Sequence, residues 1–313
     1  MPRYPCTFGR VSFADIDFAL ALGGLIAGIM VGLTGMGGAA LVTPMLVLIF
    51  GINPAAAVSS DVVASAIMKP VGAWVHIRAK TVHWGLVGWL SAGSIPGVLL
   101  GTLIFAKVLT TDDASNTIRT WIGWVLIIAL AAMIAKNFVA NRAKRIRGEQ
   151  PLQGTDMPVK IVRTMLLGFF VGAIVGMTSV GSGSLIVTIM LLLYPLLRPS
   201  VLVGTDLTQA VPMLVAGAIA HAGFGDISIA VVVSLLIGQI PGIYMGAKLS
   251  SRYDGHRLRW LLMIVLAATA IKLLGAPAIL SGAIALIGAA IVIVMILRER
   301  AAAKRAAAEA VTV

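Results

Sequence analysis

Two aspartates (Asp61 and Asp206), one lysine (Lys69) and two glutamines (Gln209 and Gln239) stand inside long apolar runs of this chain. Polar and ionisable groups at such depth are costly and are functional candidates by default. The aspartates are placed to carry protons. Equally, "SSD" and "GTD" are good capping sequences, which would make Asp61 and Asp206 helix N-caps. Lys69, beside Pro70, offers a counter-charge to an anion, or else a side chain that snorkels to the interface. Thr34, Thr178, Ser179, Ser182 and Ser184 add hydroxyl donors around two glycine-studded stretches, "GLTGMGGAALVTP" (Gly32 to Pro44) and "GMTSVGSGSLIVT" (Gly176 to Thr188). Glycine lets a chain turn with φ > 0 and lets a ligand approach the backbone. A helix that starts after such a break presents unpaired N–H groups and a positive dipole end, which suits an anion. Gly35, Gly37, Gly38, Gly181 and Gly183 are therefore candidate lining residues with the hydroxyls, Lys69 and the two glutamines. The competing reading is that small residues let helices pack closely, and it is preferred for Gly24, Gly28 and Gly32, spaced by four. His76 and His221 fall near segment ends, where an interfacial role is expected.

The elements that must position these groups follow from composition. The 313 residues are 59% hydrophobic and 12% charged, with a mean hydropathy of +1.01. No charged residue occurs from Phe18 to Ser60 or from Thr164 to Leu197. About 20 apolar residues span a bilayer as a helix, so the chain reads as an all-α integral membrane protein. The first apolar run is too long for the h-region of a signal peptide. The lone cysteine, Cys6, cannot form an intrachain disulfide. A net charge of +12 arises from basic clusters at 136–163, 248–259 and 298–305, which flank apolar spans and point to lipid headgroups rather than nucleic acid.

The chain is internally duplicated. A shift of 144 superposes Gly24, Gly28, Gly32, Thr34 and Gly37 on Gly168, Gly172, Gly176, Thr178 and Gly181. After one inserted residue the shift becomes 145 and pairs Pro54, Asp61, Met68, Gly72 and His76 with Pro199, Asp206, Met213, Gly217 and His221. "GSIPGVLLG" from Gly93 likewise meets "GQIPGIYMG" from Gly238. The expected layout is an N-terminal segment 1–15, a transmembrane repeat 16–138, a cytoplasmic basic linker 139–161, a second repeat 162–274, an extra C-terminal helix 275–297 and a cytoplasmic tail 298–313. Each repeat reads as five segments: about 16–34, 38–51, 55–77, 83–107 and 116–138, then 162–178, 183–197, 201–223, 227–248 and 257–274. Charge reverses between matching turns. Arg78 and Lys80 face Gly223 and Asp226 in the alignment, while Asp112 and Asp113 face Arg252, Arg257 and Arg259. The positive-inside rule then puts equivalent turns on opposite sides, so the repeats have inverted topology.

Thr164 to Leu197 would make about 51 Å of helix, too little for two crossings of a roughly 30 Å core. One element must be partial or re-entrant, with breaks at "TSVGSGS" and "TGMGG". Interrupted segments at matching places in two halves point to a transport site near the midplane. "IPG" at Ile95–Gly97 and Ile240–Gly242 is expected to kink segment four and to form a second break facing the first. No Walker P-loop and no H-E-x-x-H pair occur, and His76, His83, His221 and His256 lie far apart, which disfavours ATP drive and intramembrane enzymology. A passive anion channel would use the same helix ends and stays open as an alternative. The expected partners are a small anionic substrate, H+ as coupling ion and membrane lipid, with room for a homodimer; no cofactor, metal or catalytic residue is expected.

"GLTGMGGAALVTPML" with "NPAAAVSSDV", the repeated "IPG" and the duplicated halves resemble the TauE/SafE family of membrane permeases, over residues from about 16 to 297. The resemblance implies secondary transport, with export the commonest assignment, in a prokaryotic inner membrane. The implied cargo is a small sulfur-containing or organic anion such as sulfite, sulfoacetate or another sulfonate. Here Met36 precedes a single Gly37–Gly38 pair, and the second copy carries Ser179, Ser182 and Ser184 in place of glycine or alanine.

Overall fold

A computed structural model describes residues 17–34, 39–147, 154–155, 157–224, 227–250, 256–277 and 282. Among these, every regular element is an α-helix: α1 (Phe18–Thr34), α2 (Ala39–Leu48), α3 (Pro54–Arg78), α4 (Trp84–Leu109), α5 (Ala114–Arg147), α6 (Ile161–Thr178), α7 (Ser182–Leu193), α8 (Pro199–Phe224), α9 (Ile229–Ser250) and α10 (His256–Leu273). Among the described residues, five stretches are long and apolar enough to cross a membrane: Trp84–Leu109, Ala114–Ala135, Ile161–Thr178, Pro199–Gly223 and Ile229–Lys248. The expected C-terminal helix lies outside the described residues.

The short elements are α2 and α7, of 10 and 12 residues. At 1.5 Å per residue they reach about 15–18 Å, half of a bilayer core. The apolar stretch of α5, Ala114–Ala135, agrees with the expected segment of about 116–138, and the helix runs on to Arg147, because Arg142, Lys144 and Arg145 are good helix formers that extend it beyond its apolar stretch. One expectation needs correction: the second break at "IPG" does not form. α4 and α9 run unbroken through Pro96 and Pro241. A proline in a membrane helix removes one hydrogen bond, and neighbouring helices hold the chain in place.

Those neighbours are clamped by glycine. On α1, a Cβ at Gly24 would come within 2.6 Å of the Leu235 carbonyl oxygen, and one at Gly28 within 2.6 Å of that of Gln239. Gly32 packs on Ile243 and Ala247. Both sequences increase together, so α1 and α9 run parallel with their backbones in contact, as the small-residue spacing predicts. The same arrangement recurs between α6 and α4, with Gly168 on Leu90, Gly172 on Ser94 and Gly176 on Val98. The first helix of each half thus packs on the fourth helix of the other.

The centre belongs to α3 and α8. Ser59 meets His221, Gly217 lies on Val62, Gly72 on Leu207, and Gly204 on His76. One number falls as the other rises, so α3 and α8 are antiparallel. Outside this centre, His83 caps α4, accepting from Leu86 N–H, and its Nε2 lies 2.9 Å from the Met157 carbonyl. That contact ties the α3–α4 turn to the segment preceding α6.

Candidate functional site

The break between α6 and α7 is built by backbone conformation and two hydroxyls. α6 ends at Thr178, Ser179 adopts the left-handed conformation (φ 60°), and Gly181 sits at φ 117°. A side chain at Gly181 would be strained there whatever the space around it. Thr178 Oγ1 donates to the Ile174 carbonyl and accepts from Val180 N–H at 3.2 Å, so this threonine stabilises the break from within. α7 then starts at Ser182 with no side-chain cap. Its first-turn N–H groups have no acceptor in their own helix, and Ser182, Gly183 and Ser184 are all buried.

α3 supplies the charge. Asp61, Ser65 and Lys69 are spaced by four and therefore share one helix face. Lys69 Nζ donates to Ser182 Oγ at 2.7 Å, so the ammonium group stands at the start of α7. It does not snorkel to the interface, since the residue is 2% exposed. The carboxylates of Asp206 and Asp61 lie within electrostatic reach of this ammonium. Asp61 Oδ2 accepts from Thr43 Oγ1 of α2 at 2.6 Å and from Ser179 Oγ at 3.1 Å, and Oδ1 from Ser65 at 3.5 Å. Across the fold, Gln209 Nε2 donates to Asp206 Oδ1 at 3.4 Å, while Ser94 Oγ donates to Gln209 Oε1 at 3.4 Å.

The capping reading of the aspartates does not hold. Asn53 caps α3, its side chain accepting from Ala55 N–H, and Asp61 lies two turns inside the helix. Asp206 is equally deep in α8. "NPAA" is the real start signal, with proline in the first turn. The interfacial reading of the histidines also fails. His221 is fully buried, with Nδ1 3.1 Å from Ser59 Oγ, Nε2 2.9 Å from the Gly176 carbonyl, and its ring tilted on Phe105. His76 is buried beside Thr81. Both follow from the α3–α8 packing, which sequence position within a segment does not reveal.

Lys69, Ser179, Ser182 and Asp61 therefore come together at the second break, flanked by Gly181 and Gly183, and Asp206 with Gln209 approaches from α8. Gln239 is 1% exposed on α9, with neither amide atom hydrogen-bonded to any described residue. At the first break, Gly35, Gly37 and Gly38 lie outside the described residues, and Thr34 is described only as the last residue of α1. Sequence reasoning missed Thr43, Ser65 and Ser94. Ser65 was legible from the four-residue spacing with Asp61 and Lys69; Thr43 and Ser94 carry no local signal, because only tertiary packing brings them in.

A buried lysine, buried carboxylates and an uncapped helix start thus meet at one place; an ammonium group and a positive helix end are both groups that attract anionic acceptors. No group of three or more metal-ligating side chains occurs among the described residues.

Residues 20–273 match the family described as Sulfite exporter TauE/SafE. A probable membrane transporter protein of Bacillus subtilis, YjnA, is 35% identical over 261 residues, 83% of this chain and 100% of that protein. A second from the same organism, YdhB, is 26% identical, over 72% of this chain and 87% of its own length. A probable membrane transporter protein of Methanocaldococcus jannaschii is 26% identical, over 79% of this chain and 91% of its own. No solved structure matches.

Proposed function

The chain belongs to the TauE/SafE family of membrane transporters, and from that premise we propose that it is a secondary transporter, working as an exporter, of a small sulfur-containing or organic anion such as sulfite or an organosulfonate. One observation carries this reading: a lysine ammonium buried at the uncapped start of a half-length helix. A cation and a positive helix end repel each other, and an anion between them satisfies both. Sulfite and sulfonate oxygens accept from N–H, O–H and ammonium donors alike. The bacterial and archaeal relatives support a prokaryotic plasma membrane.

Transport proceeds by alternating access between two inverted halves. α3 packs antiparallel on α8, its own duplicate, and the contact between Ser59 and His221 is the counterpart of that between Gly204 and His76. Two copies meeting head to tail in this way are what a two-fold axis in the membrane plane produces. The tie between His83 and Met157 puts the basic α3–α4 turn beside the basic linker, which supports a cytoplasmic location for both. Burial of the whole cluster favours a carrier with an occluded site over an open channel.

The test is a thermal-shift screen of purified protein against sulfite, sulfate, methanesulfonate, sulfoacetate and simple carboxylates. A ligand far above its Kd stabilises by RT ln(1 + [L]/Kd), about 2.7 kcal/mol at a hundredfold excess. Sulfite or a sulfonate should raise Tm while carboxylates of equal charge do less. Stabilisation by none of the anions would refute the reading.

A further inference from the structure

Resting on that reading of the α6–α7 break, we infer that the site takes a monovalent oxyanion together with one proton, and that Asp61 accepts the proton. The cluster holds three ionisable groups, Lys69, Asp61 and Asp206. Of the other charged residues on the described helices around it, Arg78, Lys107, Arg119, Arg163 and Lys248 stand near the ends of their helices, and the basic residues from Lys136 to Arg147 follow the apolar stretch of α5. His221 is engaged by Ser59 and Gly176, and His76 lies beside Thr81. With all three groups ionised, the cluster carries one net negative charge, and an entering anion adds another. Uncompensated charge in a buried setting is costly. A proton that enters with the anion leaves the net charge unchanged.

The two carboxylates differ in their capacity to accept it. Asp61 is surrounded by hydroxyls, from Thr43, Ser179 and Ser65. A hydroxyl can turn from donor to acceptor, so a protonated Asp61 finds a new partner without leaving an orphaned group. Asp206 Oδ1 accepts from the Gln209 amide N–H, and the Gln209 oxygen accepts from Ser94, so a proton on that oxygen requires the whole amide to turn over. A dianion would need this second protonation as well, so monoanions are favoured.

The duplication shows that the polar shell is specific to one of two equivalent places. Under the repeat register, Ser65, Lys69, Ser179 and Ser182 correspond to Ala210, Leu214, Gly35 and Gly38. The counterpart position keeps its aspartate and loses the lysine and the hydroxyls. One anion and one proton per chain follow.

The experiment is isothermal titration of the full chain in detergent with methanesulfonate, whose charge does not change over the working pH range, in buffers of different ionisation enthalpy. The wild type should take up about one proton per methanesulfonate, and its affinity should weaken about tenfold per pH unit above the Asp61 titration. Asp61→Asn should bind with no proton uptake, and sulfate should bind the wild type at least tenfold more weakly than methanesulfonate does. Methanesulfonate binding with no proton uptake by the wild type overturns the coupling and leaves the anion site standing. This wild-type count decides even if Asp61→Asn fails to fold. Uptake kept in Asp61→Asn, or tighter binding of sulfate, also overturns the inference. No binding of any sulfonate overturns both the inference and the site.

Discussion

Replacing Gly28 by alanine separates packing from function in one methyl group. A Cβ at this position would sit 2.6 Å from the Gln239 carbonyl oxygen and 3.0 Å from both Gln239 Cα and Ile243 N. All three are backbone atoms of α9, so no side chain can turn away. Ordinary contact begins near 3.5 Å, and α1 must therefore withdraw by roughly 0.9 Å. A gap of that size forfeits about a quarter to a half of each neighbouring contact along the seam, including those at Gly24 and Gly32. Overpacking of this kind costs about 1–3 kcal/mol. Gly88 in α4 is the control, since a Cβ there meets nothing within 4 Å. Gly88→Ala should be neutral or stabilise by about 0.5–1 kcal/mol through helix propensity. Thermal melting in detergent, read by fluorescence size exclusion, should show Gly28→Ala several degrees below wild type and Gly88→Ala at or above it. Equal melting of the two variants would refute the glycine-seam account of α1 and α9.

In a Cys6→Ser background, cysteines placed at Ser115 and Asn141, at opposite ends of α5, should react with an impermeant reagent from opposite sides, Asn141 from the cytoplasm; labelling of both from one side contradicts the orientation. Ser182→Ala removes one hydroxyl from the start of α7 and should weaken methanesulfonate binding by about tenfold, or 1.4 kcal/mol, in the same calorimetric assay. Gly181→Val forces a β-branched residue to φ 117° and should abolish binding while the protein still elutes as a folded species; unchanged affinity in both variants would remove the break from the site.

Much of this fold was legible because apolar length, glycine spacing and duplication are one-dimensional signals. The partial helix α7 followed from counting the uncharged residues between Thr164 and Leu197, since 1.5 Å per residue leaves no room for two crossings, and α2 followed from the duplicate break at "TGMGG". The seam glycines were legible because a four-residue spacing puts Gly24, Gly28 and Gly32 on one stripe. What sequence could not supply was cross-chain proximity. Asp61 could be a cap or a buried carboxylate until Asn53 was seen to start α3 and Thr43 and Ser179 to meet the carboxylate. Likewise, Lys69 was either a snorkelling residue or a counter-charge until its burial and its contact with Ser182, 113 positions away, excluded the first. The "IPG" triplets misled because proline is a breaker in water, whereas glycine-clamped neighbours hold α4 and α9 continuous.

The central claim is that an anion binds at the start of α7 beside Lys69. A crystal structure with 2-bromoethanesulfonate, a monoanion marked by the anomalous signal of bromine, tests it most directly. The account predicts sulfonate oxygens within hydrogen-bonding distance of the Ser182 and Gly183 N–H groups and of Lys69 Nζ, with the bromine close by. A bromine peak at full occupancy elsewhere, with Lys69 still bound to Ser182 and nothing between them, would contradict it.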